Sequence, residues 1–491
     1  MARWVWLMVV GLAACSGGVP RETGGDGGID APPGCGDGVR TGDEQCDGTD
    51  LGGATCATAV APGWVGTLAC TSSCAFDVAA CNTPSTTWTG GFNSGANWGE
   101  FDLTTINANA HGFASSVFDG RYMYFVPGDS SVLARYDTKG SFTDAGAWTM
   151  FDLTMVRAGA QNYQGGAWDG RYLYLVPYGG GTDGVALRFD PQNPSGFANV
   201  ASWETFDITT VNANAKGFVR AVFDGRFIYY VPYYQIIGGT PVYHGTTARY
   251  DTQGDFAAAT SWQVIDLTTV NANARGYLGG VYDGRYIYYV PYYNNTTWHG
   301  LVVRFDPQAS GGFADVASWT TFAMGSVTNQ DVGFFGATFD GRYIYFAQHY
   351  DANATPAAVY GQYIARYDTQ APFTSISSWT QFAPFGPAAY TGAVFDGRFV
   401  YFSGYYNGTA YTGVTACYDT QGAGFANAGA WVSYDPSALD ANAKGWDGTG
   451  FDGQYIYFVP DYNGTAYQGV IARFKAKTPG WEPRGWNATF E

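Results

Sequence analysis

Residues 339–346 read FDGRYIYF, an Asp-Gly pair set between a short apolar run and a strand of tyrosines. Asp-Gly in that setting signals a tight hairpin, because glycine takes a positive φ without steric cost. In the strand that follows, Tyr343 and Tyr345 flank Ile344, and side chains alternate between the two faces of a sheet. Both faces therefore carry large apolar bodies. Nearly the same string stands at Phe223 (FDGRFIYY), Tyr282 (YDGRYIYY) and Phe395 (FDGRFVYF). In this setting the pair occurs seven times, at Asp119, Asp169, Asp224, Asp283, Asp340, Asp396 and Asp452, spaced 50 to 59 residues apart.

Four further landmarks travel with each turn. A stretch rich in Gly, Ala and Ser precedes it, as in YLGGVYDG. A tyrosine-rich strand follows and usually ends in Val-Pro, where proline removes a ladder donor. A segment such as ARYDT or LRFDP comes next. A Trp strand such as SWETFDIT closes the unit, marked by Trp98, Trp148, Trp203, Trp262, Trp319, Trp379 and Trp431. One unit is thus four short strands, and a lone sheet of four cannot bury two apolar faces. Sheets stacked around an axis can, which predicts an all-β, seven-bladed β-propeller of four-stranded blades. The signatures of WD40 and kelch repeats are absent, so no subfamily is assigned.

The small-residue strand suits the crowded axis, and the Trp strand the outer edge. On this phase the last blade lacks an outer strand. Two segments fit the vacancy: Trp98 to Leu103 from the N-terminal side, and Trp486 to Phe490 from the C-terminal side. The Asp-Gly turns share one face with loops such as DTQGDFAAATSW. The opposite face gathers the loops after Val-Pro and those like TTVNANAKG. The loops after Val-Pro differ from blade to blade, and loops of that kind carry specificity.

Those loops nominate the ligand-binding residues. YYQIIGGTPVYHG supplies Tyr233, Tyr234, Tyr243 and His244. YYNNTTWHG supplies Tyr292, Tyr293, Trp298 and His299. HYDANATPAAVYG contributes Tyr350 and Tyr360, YYNGTAY contributes Tyr405 and Tyr406, and DYNGTAY contributes Tyr462. Blades one and two carry only the short loops GDSS and YGGGTD. An aromatic rim interspersed with Asn and His suits a glycan, with rings on its C–H faces and amides on its hydroxyls. The competing reading folds these rings back onto neighbouring blades. For catalysis, Asp331 and Asp447 break the pattern near inner strands, with Arg220 a third departure, and two carboxylates near an axis suit glycoside chemistry. No nucleophile signature such as G-x-S-x-G is present. No cofactor and no metal site is expected. The repeated arginines, six after the Asp-Gly turns and six in the third strands, are expected to pair with repeat aspartates or stack on tyrosines. Cys417 takes the arginine position in blade six.

Charge narrows the partners. The formal net charge is −17, and phosphate backbones need a basic stripe, so nucleic acid is excluded. A glycan or a protein remains.

The N-terminal part of the chain has a different character. MARWVWLMVVGLAAC has a positive start and an apolar run from Trp4 to Ala14, too short to span a bilayer and suited to an export signal. Its ending, Leu12-Ala13-Ala14-Cys15, resembles a bacterial lipobox. That resemblance implies a signal peptide over 1–14, lipid attachment at Cys15, membrane contact through the lipid alone, and an outer-membrane or cell-surface location. Residues 15–34 are rich in Gly and Pro and read as a flexible tether. Then come six cysteines in 47 residues: Cys35, Cys46, Cys56, Cys70, Cys74 and Cys81. In an exported chain these predict a small disulfide-rich module over 35–81, with fifteen possible pairings. CGDGVRTGDEQCD, followed by LGGATC and GTLACTSSCAFDVAAC, resembles the short Cys-rich repeats of secreted and surface proteins of myxobacteria. Residues 82–97 read as a linker, and 98–491 as the propeller. The whole is expected to act as a surface-anchored binding protein. A carbohydrate-active enzyme and a structural assembly protein are the alternatives.

Overall fold

The computed structural model describes residues 40, 45–52, 54, 65–66, 68–71, 74–77, 81–82, 91–328, 330–350 and 360–477. The expected export signal, Cys15 and the tether lie outside them, as does the Trp486 segment. The chain divides into two compact units, Met1–Pro84 and Ser85–Glu491.

In the first unit, Cys46 and Cys70 form a disulfide, and Cys74 is also disulfide-bonded. Two short ladders pair Val65–Gly66 with Cys81–Asn82 and Ala69–Cys70 with Phe76–Asp77, and Leu68 is buried against Leu51, Ala54 and Phe76. Cys35 and Cys56 lie outside the described residues.

The second unit contains seven four-stranded antiparallel sheets, each an up-and-down meander. Blade one runs Phe113–Phe118, Tyr122–Pro127, Val132–Asp137 and Trp148–Asp152, and blades two to six repeat that order. Blade seven is composite. Its three C-terminal strands, Trp446–Phe451, Tyr455–Pro460 and Val470–Lys475, are completed by Trp98–Asp102, with Asp102 opposite Val470 and Trp98 opposite Phe474. The N-terminal side therefore closes the ring. The core also reaches into the stretch read as linker: Phe92 is buried against Trp98, Tyr401 and Phe474, because each blade needs a phenylalanine six residues ahead of its tryptophan. The carbonyl of that phenylalanine accepts the indole N–H in all seven blades, at 2.8–3.2 Å.

The Asp-Gly turn does more than reverse the chain. Gly341 takes φ +100°, as expected. Asp340 Oδ1 accepts the backbone N–H groups of Arg342 and Tyr343, and its Oδ2 accepts the hydroxyl of Tyr345. The same three bonds recur in every blade, so a buried tyrosine hydroxyl and a turn are satisfied by one carboxylate. The first set of arginines pairs with the aspartate ending the third strand, as in Arg226–Asp251 and Arg342–Asp368. The second set stacks between rings of adjacent blades. Arg135 lies 4.3 Å from the centroids of Tyr122 and of Phe197 in the next blade, and Arg473 lies likewise between Tyr455 and Phe142.

Blade six is the exception, since Cys417 replaces that arginine. Its buried thiol is pushed well up by desolvation. A cavity of about 170 Å³ remains there, walled by Phe92, Phe399, Tyr401 and Phe474. The missing cation is supplied from elsewhere: Lys477 donates to the carbonyl of Asp396, lies 5.0 Å from the Phe451 ring, and its charge favours the Asp396 carboxylate.

At the axis the small residues are required by contact. A Cβ on Gly279 would stand 2.7 Å from the Phe335 carbonyl, and one on Gly392 would stand 2.8 Å from Gly448 Cα.

Candidate functional site

The inner strands do not run straight. In six of the seven the register slips near the start, for example between Val219 and Ala221, between Phe334 and Gly336, and between Trp446 and Gly448. A bulge re-aims one residue out of the ladder. Bulge residues Leu278, Phe335 and Asp447, together with Gln164, Val219 and Thr391, line a cavity on the axis. The second strands complete it. The residue after Val-Pro, or its equivalent, is Gly128, Tyr178, Tyr233, Tyr292, His349, Tyr405 and Asp461 in blades one to seven. Tyr178, Tyr233, His349, Tyr405 and Asp461 of that set line the cavity, whose volume is about 240 Å³. Tyr233 meets Tyr292 at 6.1 Å, Tyr292 meets His349 at 6.1 Å, and His349 meets Tyr405 at 5.6 Å, so this tier belongs to one end of the axis.

Arg220 forms part of a tighter space at the axis, with Gly279, Gly336, Gly392 and Gly448. It is the bulge residue of blade three, held at φ +52°, a conformation in which few non-glycine residues rest. Its guanidinium crosses the axis. One nitrogen donates to the Gln164 carbonyl of blade two, and the other donates to the Asp447 carbonyl of blade seven at 2.9 Å and stands 3.8 Å from Asp447 Oδ1. Both side chains are nearly enclosed, at 8% and 13% exposure, so the ion pair acts through little intervening water.

Asp461 differs. Among the described residues it forms no ion pair, and it accepts the Tyr405 hydroxyl at 3.1 Å. Burial raises its pKa to about 7; the Tyr405 hydrogen bond and Arg220 oppose that shift, and the charge of Asp129 adds to it. His349 is held neutral by burial, which lowers its pKa to about 4. Burial also pushes the Tyr178 and Tyr405 hydroxyls up, with Asp447 adding to both, so they remain protonated.

Around this tier runs an outer belt. Within each loop two rings face each other: Tyr234 and Tyr243, Tyr293 and Trp298, Tyr350 and Tyr360, Tyr406 and Tyr411, Tyr462 and Tyr467, at 5.1–5.5 Å. Between blades the chain continues from Tyr243 to Tyr293, Trp298 to Tyr350, Tyr360 to Tyr406 and Tyr411 to Tyr462, at 4.1–5.1 Å. Most contacts are tilted or edge-on, as ring quadrupoles prefer; Trp298 and Tyr350 stack. These rings cover one another and fasten adjacent blades together. Asn295 does the same, exchanging two hydrogen bonds of 2.7 Å with the backbone of Tyr243.

The sequence candidates therefore separate. Tyr233 and Tyr405 reach the cavity, and Tyr292 joins their tier. Tyr234, Tyr243, Tyr293, Trp298, Tyr350, Tyr360, Tyr406 and Tyr462 form the belt. His244 and His299 lie inward of it as buried turn residues. Nδ1 of each accepts a backbone N–H two residues on, from Thr246 and Leu301, and burial lowers both pKa values to about 4. Asp447 and Arg220 meet at the axis, whereas Asp331 does not line the cavity. It occupies the place of Ala274 in blade four, buried in the turn before the inner strand with its carbonyl against Gly300. Among the lining residues that escaped the sequence reading are Asp461, Tyr178, Gln164 and Phe335. The residue after Val-Pro was the available signal, since Asp461 stands where tyrosine is usual.

No protein-family model matches the chain, and no curated protein does. Among solved structures, virginiamycin B lyase from Staphylococcus aureus is similar at 12% identity, covering 77% of this chain and 98% of that one with a TM-score of 0.50. The β-propeller domain of Swd1 (Cps50) from Myceliophteria thermophila is similar at 11% identity, covering 80% and 99%, with a TM-score of 0.45. At these identities the likeness is one of fold alone.

Proposed function

We propose that this propeller is a binding protein that takes one unit of a glycan into its axial cavity, from the face of the variable loops. The observation that carries this reading is the make-up of the cavity wall. Rings from Tyr178, Tyr233, Phe335 and Tyr405 share the wall with polar side chains from Gln164, Thr391, Asp447 and Asp461. Ligand pockets combine apolar walls with a few placed polar groups in this way. The cavity is small for a drug-sized ligand, and it suits a single sugar ring of a longer chain. The lipobox-like N-terminus supports display at a membrane surface through a lipid on Cys15.

The test is a glycan array followed by calorimetry on the full chain. Tyr233→Ala is expected to weaken binding at least tenfold, with the circular-dichroism spectrum unchanged. Equal binding by the variant would remove the cavity from the reading. A second reading, glycoside hydrolysis, is favoured by one feature: Asp461, whose pKa burial raises, shares the cavity with a second carboxylate, Asp447. Oligosaccharide turnover that vanishes in Asp461→Asn would establish it over simple binding.

A further inference from the structure

We infer that the axial cavity selects a ligand bearing a cationic amine, seated among the rings of Tyr178, Tyr233, Phe335 and Tyr405 with its charge on Asp461. This rests on the cavity being the ligand site, and it names the chemistry that site prefers.

Charge comes first. Two carboxylates line the cavity, and no lysine or arginine does. His349, the one imidazole in the wall, is uncharged at neutral pH. Of the two carboxylates, Asp447 has a guanidinium beside it from Arg220. Asp461 has only the Tyr405 hydroxyl from a side chain and no ion pair among the described residues; of its charged neighbours, Asp129 repels and Arg220, which stands beside Asp447, attracts. A buried carboxylate without a counter-cation is costly, and a ligand cation would remove that cost on arrival.

The walls point the same way. Aromatic rings carry negative π faces, which attract an ammonium group, more strongly when water is excluded, and four such rings line this small volume. At this position of the repeat, blades two to six carry Tyr or His, and blade seven alone carries an acid. The result is a ring of aromatic groups with one acidic side. A metal ion suits this wall poorly. Calcium asks for six to eight oxygen ligands, and among the described residues no group of three or more His, Cys, Asp or Glu side chains is placed to hold an ion.

The experiment is calorimetry of the full chain at pH 7 in phosphate, since Tris is itself an amine, with glucosamine, N-acetylglucosamine, glucose and tetramethylammonium. Glucosamine is expected to bind at least tenfold more tightly than glucose or N-acetylglucosamine, and Asp461→Asn to erase that preference. Tyr178→Leu, a second variant, is expected to weaken tetramethylammonium several-fold. Equal affinity for glucosamine and glucose overturns this inference and leaves the glycan reading standing. Binding of tetramethylammonium with no sugar bound upholds the inference and overturns the glycan reading. No binding by any of the four overturns both.

Discussion

The two faces of the propeller are built from the same repeat and have become different objects. On the Asp-Gly face the side chains are the same in nearly every blade. One carboxylate serves two backbone N–H groups and a buried hydroxyl, and an arginine closes on the next aspartate. On the opposite face the positions after Val-Pro change from blade to blade, and the changes converge on a cavity. Repetition marks residues that hold a blade together, because each blade faces the same packing problem. Departure from repetition marks residues that meet at the axis, where a single ligand sees all blades at once.

Substitution at the uniform face gives the largest expected effect on stability. Asp283→Ala leaves two N–H groups and the Tyr288 hydroxyl without their acceptor, a loss of about 3 kcal/mol in denaturant unfolding. Ligand affinity is expected to change less than twofold, and a larger change would break the division between faces. Next is the belt. Trp298→Ala removes the stack on Tyr350 and is expected to cost about 1.5 kcal/mol. The apparent m-value should stay unchanged, since the belt joins blades already formed. Third is the seam between blades six and seven, where Lys477 stands in for an arginine. Lys477→Met should destabilise the wild-type chain more than the Cys417→Arg variant, with a coupling of about 1 kcal/mol in a double-mutant cycle. Zero coupling would mean that the two cations are independent.

The smallest effect is one of pH. Glu100, on the closing strand, has its pKa raised from 4.5 to about 7 by burial and then by Asp440. The folded protein holds a proton there that the unfolded chain releases. The stability this carboxyl contributes is fully present below about pH 4.5 and is lost as pH rises through 7. Glu100→Gln should therefore raise Tm at pH 8 and leave it unchanged at pH 4.

The architecture was legible because the repeat states one solution seven times: a turn needing Asp and Gly, a strand needing two aromatic faces, and an axis needing small residues. The candidate site was legible only in part. The belt tyrosines are as prominent in the sequence as the cavity tyrosines, and it takes the structure to send Tyr233 to the cavity and Tyr234 to the belt. His244 and His299 stand among the ligand-binding candidates of the sequence, yet Thr412 and Gln468 fill the same place in blades six and seven by accepting the same backbone N–H. Asp331 and Asp447 are equivalent departures on paper. A few residues along the chain place one in a buried turn and the other on the axis. Asp461 was visible as a break in the Val-Pro-Tyr pattern, but its meaning depends on Tyr405 and Asp129 from blades six and one.

The composite seventh blade also orders events at the ribosome. Trp98–Asp102 is among the first parts of the propeller to be synthesised, and its partner Val470–Lys475 among the last. Until the final blade emerges, that early strand has an unpaired edge, and such edges invite association with other chains. A nascent chain that stalls anywhere in the repeats thus carries a visible sign of incompleteness, and only a finished one can hide it.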